Sequence, residues 1–225
     1  MDEHDPAFFG QKHYTTRFLR IYDPLVLGLF ASAVWRCPTR RLVDLYSNHL
    51  RARHLDVGPG TGYFLEKAVA PAGMTLTLID PNPDVLAYAA ARLSRLRPMT
   101  ISADVLKQLP TKDEFDSIAL NYLLHCLPGP QPMKAVAVSN VAERLARDGV
   151  LFGAQVLGNR EMHTLLSWQA LRVNNKRRIF DNLSDTEDGL REILGMSFEE
   201  VQIEIVGSVA VFIATAPKLR NRRPS

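Results

Sequence analysis

Polar side chains able to hold a small ligand stand at or near the ends of four apolar runs: Asp56, Asp80, Asp104 and Asn121. A carboxylate such as that of Asp80 can accept two hydrogen bonds from a ligand at once. An acid at such a position also serves as a helix cap or a turn former, so each residue alone is ambiguous. Because the carboxyl ends of the strands in an open α/β sheet meet at one edge, their order along the chain predicts one shared ligand site.

A turn rich in glycine, Gly58-Pro59-Gly60-Thr61-Gly62, follows the run that contains Asp56. Glycine lets the backbone approach a ligand closely and adopt a positive φ. The helix expected from Tyr63 onward offers free N–H groups to a polar ligand. A dinucleotide site has the spacing Gly-x-Gly-x-x-Gly, and its third glycine would fall on Tyr63. The alternate spacing therefore disfavours a nucleotide-dependent oxidoreductase.

Strands and helices alternate along the chain. The predicted strands are 53–57, 75–80, 99–103, 115–121, 150–157, 201–206 and 209–215. Helices are expected after Asn82 as cap and Pro83 as first residue, over 133–146, and from a capping box at 184–187. The last two strands are joined by so few residues that they must be antiparallel, because a parallel crossover needs a helix-length connection. The predicted fold is a doubly wound, mostly parallel, seven-stranded α/β sheet with an antiparallel C-terminal strand and a helical cap.

The acid two residues before three alternating glycines resembles motif I of the class I S-adenosylmethionine-dependent methyltransferases. The antiparallel C-terminal strand is similar to the variant of the doubly wound sheet that this family has. The resemblance covers residues 53–216 and implies transfer of a methyl group from S-adenosyl-L-methionine to oxygen, nitrogen or carbon of a small, fairly apolar acceptor, in secondary or quinone metabolism. A relative of this fold that binds the cofactor but catalyses another reaction, such as a cyclisation, is the alternative.

The resemblance also assigns cofactor contacts by position. Motif I, which holds the methionine part of the cofactor, is matched by Asp56, Gly58, Pro59, Gly60 and Gly62. Asp80 is assigned to the ribose hydroxyls, and Asn82 to the flank of the adenine. Asp104 is assigned to the adenine amino group, with the N–H of Val105 on the ring.

Asn121 is placed by the same resemblance beside the methionine and the reacting methyl group. His125 follows it by one helical turn and is the candidate general base. A base helps only where the acceptor carries a proton that must leave, as a phenol does. A histidine that merely packs beneath the cofactor is the other interpretation, and the residues leave both open.

Two segments outside the core are expected to bind the acceptor. The first is residues 1–50, which resemble the N-terminal helical cap of small-molecule methyltransferases. That resemblance makes Tyr14 the candidate to close over the cofactor and Tyr22 the candidate to contact the acceptor. The second is the insertion 159–183 within the cofactor-binding domain 51–217. Its candidates for acceptor contact are Met162, His163, Leu166 and Trp168. Apolar residues at helical spacing fit core packing as well.

Composition sets the outer bounds on the 225 residues. Two cysteines form no disulfide framework, which predicts a cytoplasmic protein. No apolar run has the length of a membrane span, and the start lacks the apolar core of a signal peptide. The net charge is +3, and four basic residues in a tail expected to be disordered (218–225) leave the remainder near −1 (+3 less four). We therefore expect no nucleic acid, membrane or metal partner, and a monomer or homodimer.

Overall fold

The computed structural model describes residues 32–218. Its strands are β1 (Arg53–Val57), β2 (Thr75–Asp80), β3 (Met99–Ser102), β4 (Phe115–Asn121), β5 (Leu145–Val156), β6 (Phe198–Val206) and β7 (Val209–Pro217). Within the described chain they form one seven-stranded sheet in the order β3-β2-β1-β4-β5-β7-β6. The β1–β2, β1–β4, β2–β3 and β4–β5 pairs are parallel, whereas β7 runs antiparallel to both β5 and β6. The predicted fold class is confirmed.

The helices are α1 (Thr39–His49), α2 (Tyr63–Lys67), α3 (Pro83–Arg92), α4 (Gln131–Ala142), α5 (Leu165–Lys176) and α6 (Glu187–Gly195). The side chain of Asn82 accepts a hydrogen bond from the N–H of Asp84, so the predicted cap of α3 is present. None of the helices in the described part of the chain is long and apolar enough to cross a membrane.

Two helix boundaries differ from the sequence predictions. The helix predicted over 133–146 ends at Ala142, because Leu145 already pairs with Phe115 as the start of β5. The capping box predicted at 184–187 is wrong by two residues: Thr186 is the cap, and its side chain accepts from the N–H of Gly189. In both places a tertiary contact overrides the local signal.

The apolar core lies on both faces of the sheet. Successive strand residues point to opposite faces, and Phe152 accordingly belongs to one buried cluster while Leu151 belongs to the other. Helix α1 contributes Leu42, Leu45 and Tyr46 to the cluster of Phe152, and all three are buried. Helix α1 therefore packs as part of the sheet's own core, although it lies within the segment predicted to be a cap.

A buried ion pair fixes the chain segment between α5 and α6. Lys134 of α4 and Asp185 are both inaccessible to solvent, with 2.6 Å between Nζ and Oδ2. The same ammonium group donates to the carbonyl of Asp181 at 2.7 Å, and the Gln155 amide donates to Asp185 at 2.5 Å. We call Lys134, Gln155, Asp181 and Asp185 the clamp. It ties residues 177–185 to β5 and to the start of α4, beside the carboxyl edge of the sheet.

Candidate functional site

A cavity opens at the carboxyl edge of β1, β2, β3 and β4. Eight residues predicted as cofactor contacts line it: Gly58, Pro59, Gly60, Asp80, Asn82, Asp104, Val105 and Asn121. The structure therefore brings together residues that lie up to 63 positions apart in the sequence. Their convergence follows from the parallel strands, whose carboxyl ends share one edge.

The glycine turn has three residues in left-handed conformations, with φ of +69° at Gly58, +55° at Gly60 and +73° at Gly62. A Cβ on Gly58 would lie 2.9 Å from Leu123, and one on Gly62 would lie 3.0 Å from Leu93 of the chain just after α3. A Cβ on Gly60 would meet no atom within 4 Å, because Gly60 borders the open cavity. Gly62 does not line the cavity and serves close packing instead.

Replacing Gly60 by valine is expected to lower the affinity for S-adenosylhomocysteine by more than about tenfold. The added side chain would occupy the cavity, and valine disfavours a positive φ. Gly73→Val is the matched control, because Gly73 also has a left-handed φ of +73° and open space around it, yet lies outside the cavity. Calorimetric titration of both variants separates backbone strain from cavity blockage. Equal affinities of the two variants would show that Gly60 does not border the ligand.

Asp80 presents a carboxyl group to the cavity from the end of β2. Its Oδ1 accepts the backbone N–H of Asn82 at 2.7 Å. Burial raises the pKa of Asp80 to about 7, against the lowering effect of that hydrogen bond. The side-chain oxygen of Asn82 is engaged by the N–H of Asp84 at 2.9 Å, so Asn82 shapes the cavity wall while it caps α3.

Asp104 lies beyond the end of β3 and combines a turn role with a place in the cavity lining. Its Oδ1 accepts the N–H of Leu106 at 2.9 Å, and Lys107 Nζ lies 3.9 Å from its Oδ2. Asp104 therefore both stabilises a turn and lines the cavity. Val105 is buried and lines the cavity beside it.

Asn121 ends β4, and its buried side-chain amide lacks hydrogen-bond partners among the described residues. The residue is 7% exposed and lines the cavity. Neither its Nδ2 nor its Oδ1 has a hydrogen-bond partner among the described residues. A buried amide without a partner costs about 1–3 kcal/mol, so a ligand that both donates and accepts hydrogen bonds would bind here favourably. The amino and carboxylate groups of a methionine moiety have this chemistry.

Tyr122 follows Asn121 in a left-handed conformation, with φ of +56°. A bulky residue in this region costs about 1–3 kcal/mol, and such strain concentrates at functional sites. The backbone N–H of Tyr122 donates to Ala154 at 2.8 Å, which fixes the turn to β5. The strained turn places Tyr122 in the cavity wall.

Asp56 departs from the predicted cofactor contact. Its side chain is 2% exposed and does not line the cavity. The hydroxyl of Tyr46 donates to its Oδ2 at 3.0 Å, and burial raises the pKa of Asp56 to about 7. Tyr46 itself lines the cavity and stacks on Phe64, with 5.7 Å between ring centroids. Asp56 therefore holds Tyr46, a wall residue that the sequence patterns did not single out.

His125 lies behind the cavity rather than in its lining. It is 2% exposed, and its Nδ1 accepts the N–H of Val156 at 3.3 Å. Burial, with a smaller contribution from the charge of Lys134, lowers the pKa of His125 to about 3. The ring packs edge-on against Phe180, with 4.3 Å between centroids. This geometry favours the packing interpretation over the general base.

The structure places the predicted acceptor contacts of 159–183 away from the lining of the cavity. Met162, His163, Leu166 and Trp168 do not line the cavity. His163 is engaged with the carbonyl of Leu157 at 2.8 Å, and Leu166 is 63% exposed. Within the described chain, Ile179 alone of residues 159–183 lines the cavity.

The predictions for Tyr14 and Tyr22 fall outside the described residues.

Over residues 32–218, no group of three histidine, cysteine, aspartate or glutamate side chains is placed to hold a metal ion. Cys126 lines the cavity, and burial raises the pKa of its thiol to about 12, which keeps it protonated.

The mostly parallel sheet with an antiparallel strand inserted beside β5, and the left-handed glycine loop after β1, have the arrangement expected of the class I methyltransferase fold. Residues 55–151 match the family model described as "Methyltransferase domain". The protein belongs to the S-adenosylmethionine-dependent methyltransferases.

Known proteins are similar in sequence to this chain over most of its length. The physcion biosynthesis cluster O-methyltransferase of Aspergillus chevalieri is 37% identical over 95% of this chain and 98% of its own length. The N-methyltransferase vrtF of Penicillium aethiopicum is 38% identical over 82% of this chain and 79% of its own length. The crystal structure of the N-methyltransferase NodS from Bradyrhizobium japonicum with S-adenosylhomocysteine superposes with a TM-score of 0.56, at 21% identity, over 78% of this chain and 84% of that one. That likeness shows the shared fold.

Proposed function

We propose that this methyltransferase acts on a small organic acceptor of secondary metabolism, at an oxygen or a nitrogen atom. The observation that carries the proposal is a cavity that combines an aromatic wall with the glycine loop, Asp80 and the buried amide of Asn121, which has no hydrogen-bond partner among the described residues. The relatives named above, one an O-methyltransferase and one an N-methyltransferase, support both acceptor atoms.

Different residues of the cavity are suited to bind different parts of S-adenosylmethionine. Asp80 would accept hydrogen bonds from the ribose hydroxyls, and Asp104 from the adenine amino group. Asn121 would hold the polar end of the methionine part, while Gly58 and Gly60 leave room for close backbone approach. When bound, the cofactor supplies a sulfonium that makes its methyl group electrophilic.

The remaining task of the protein is to orient the acceptor and to exclude water. Tyr46, Phe64 and Tyr122 line the cavity with aromatic surface suited to both tasks. We assign His125 a positioning role, because a ring with a pKa of about 3 is a weak base and because His125 lies outside the lining. A proton released by the acceptor would then leave to solvent.

A mass-spectrometric screen tests the proposed function. The purified protein is incubated with S-adenosylmethionine and pools of phenols, hydroxyquinones and secondary amines. We expect acceptors that gain the mass of one methylene group, with one S-adenosylhomocysteine formed for each. Tight binding of S-adenosylhomocysteine combined with products of unchanged mass would contradict methyl transfer and would indicate a cyclisation or another rearrangement instead.

A further inference from the structure

Part of the cavity wall is aromatic and apolar. Phe64 and Tyr122 contribute rings whose centroids lie 6.5 Å apart at an interplanar angle of 60°. Ile179 adds a branched aliphatic side chain to the same lining. Among the described residues, lysine and arginine do not line the cavity, and its two aspartates have the nucleoside as their proposed ligand. This part of the wall therefore suits an uncharged, apolar ligand.

Ile179 is held in place by its neighbours on both sides. Its own N–H donates to the carbonyl of Asn174 at 3.0 Å. Phe180 packs on the His125 ring, and the N–H of Asp181 donates to the carbonyl of His125 at 2.9 Å. The clamp then fixes the Asp181 carbonyl through Lys134. A β-branched side chain on such a fixed backbone has few rotamers and forms a rigid wall.

We propose that Ile179 determines acceptor specificity, and that the acceptor presents a flat, uncharged aromatic ring to a subsite formed by Phe64, Tyr122 and Ile179. This rests on the proposed function, because the subsite needs the cofactor beside it. Aromatic side chains favour flat rings through offset stacking and edge-to-face contacts. The left-handed Tyr122 supports the assignment independently, since backbone strain of this kind is retained where a side chain must be aimed.

The test measures binding of 1-naphthol to the protein loaded with S-adenosylhomocysteine, by equilibrium dialysis. Ile179→Trp should fill the subsite and weaken naphthol binding at least about tenfold, while the dissociation constant of S-adenosylhomocysteine changes less than about twofold. Leu183→Trp is the matched control, because Leu183 lies in the same segment, is 49% exposed and does not line the cavity. It should bind both ligands as the wild type does.

Ile179→Ala provides a second variant that does not depend on accommodating a larger side chain. It should widen the subsite and shift the ratio of affinities toward 1-hydroxyanthraquinone over 1-naphthol. Unchanged naphthol binding in Ile179→Trp, an unchanged ratio in Ile179→Ala, or a parallel loss of S-adenosylhomocysteine affinity would each overturn the proposal. A wild type that binds S-adenosylhomocysteine but not 1-naphthol overturns only this inference, whereas one that fails to bind S-adenosylhomocysteine overturns the proposed function as well.

Discussion

Replacing Asp80 by alanine is expected to weaken the binding of S-adenosylhomocysteine on the order of 100-fold. The carboxylate is positioned to accept two charge-assisted hydrogen bonds from ribose hydroxyls, each worth about 1.5 kcal/mol or more. Two such bonds amount to about 3 kcal/mol, which corresponds to this loss. Isothermal titration calorimetry gives the dissociation constants. Asp84→Ala is the control. Asp84 lies four residues further along, in the first turn of α3, and it is an exposed acid that does not line the cavity.

The same residue gives the binding a pH signature. The pKa of Asp80 is about 7 before a ligand binds, and only the ionised form accepts from both hydroxyls. Affinity for S-adenosylhomocysteine should therefore fall by up to about tenfold for each pH unit below 7, and level off above it. Asp80→Asn should remove this dependence. Identical pH profiles of wild type and Asp80→Asn, or an unaltered dissociation constant in Asp80→Ala, would argue against the ribose assignment.

Replacing Lys134 by alanine should destabilise the folded protein by about 3–5 kcal/mol. Lys134 and Asp185 are fully buried, so removal of the ammonium leaves a carboxylate without its counter-charge in the interior. The Asp181 carbonyl loses a donor as well. Urea denaturation followed by circular dichroism measures the free energy of unfolding. Lys67→Ala should change it by less than about 1 kcal/mol, because Lys67 forms an exposed pair with Glu66.

A double variant separates the effect of charge from that of volume. Lys134→Met with Asp185→Leu removes both charges and keeps apolar bulk, so it should recover much of the stability lost in Lys134→Ala. Gln155 would then lose its acceptor, which limits the recovery. If Lys134→Ala were as stable as the wild type, Asp185 would have to take up a proton or be reached by water, and the clamp would not depend on its ion pair.

The sheet could be predicted from the sequence because its signals are local. Strands such as β4 and β7 are short and rich in apolar residues, and the short Gly207-Ser208 turn forces the last two strands to pair antiparallel. Once the strands were predicted to be parallel, the residues at the carboxyl edge could be predicted as well, because this arrangement brings Asp80, Asp104 and Asn121 together. The local sequence pattern was therefore sufficient to predict the position of a residue that stands at the end of a single strand.

The wall of the cavity could not be predicted in the same way. Tyr46 of α1 is held beside the cavity by the hydrogen bond that its hydroxyl donates to Asp56 of β1. Ile179 reaches the cavity because the clamp folds its segment back over β5, whereas the helical stripe that includes Leu166 turns outward. These positions depend on contacts between residues far apart in sequence, and periodicity within one segment carries no information about them.

The position of β7 has a consequence for how the protein is made. β7 follows every other strand of the described chain, yet it lies between β5 and β6. Until it emerges from the ribosome, β5 presents an open row of backbone donors and acceptors along an apolar strand. Such an edge templates aggregation, and closing a sheet through distant partners is slow. The nascent chain therefore passes through a stage in which the edge of β5 is open to pairing with other chains.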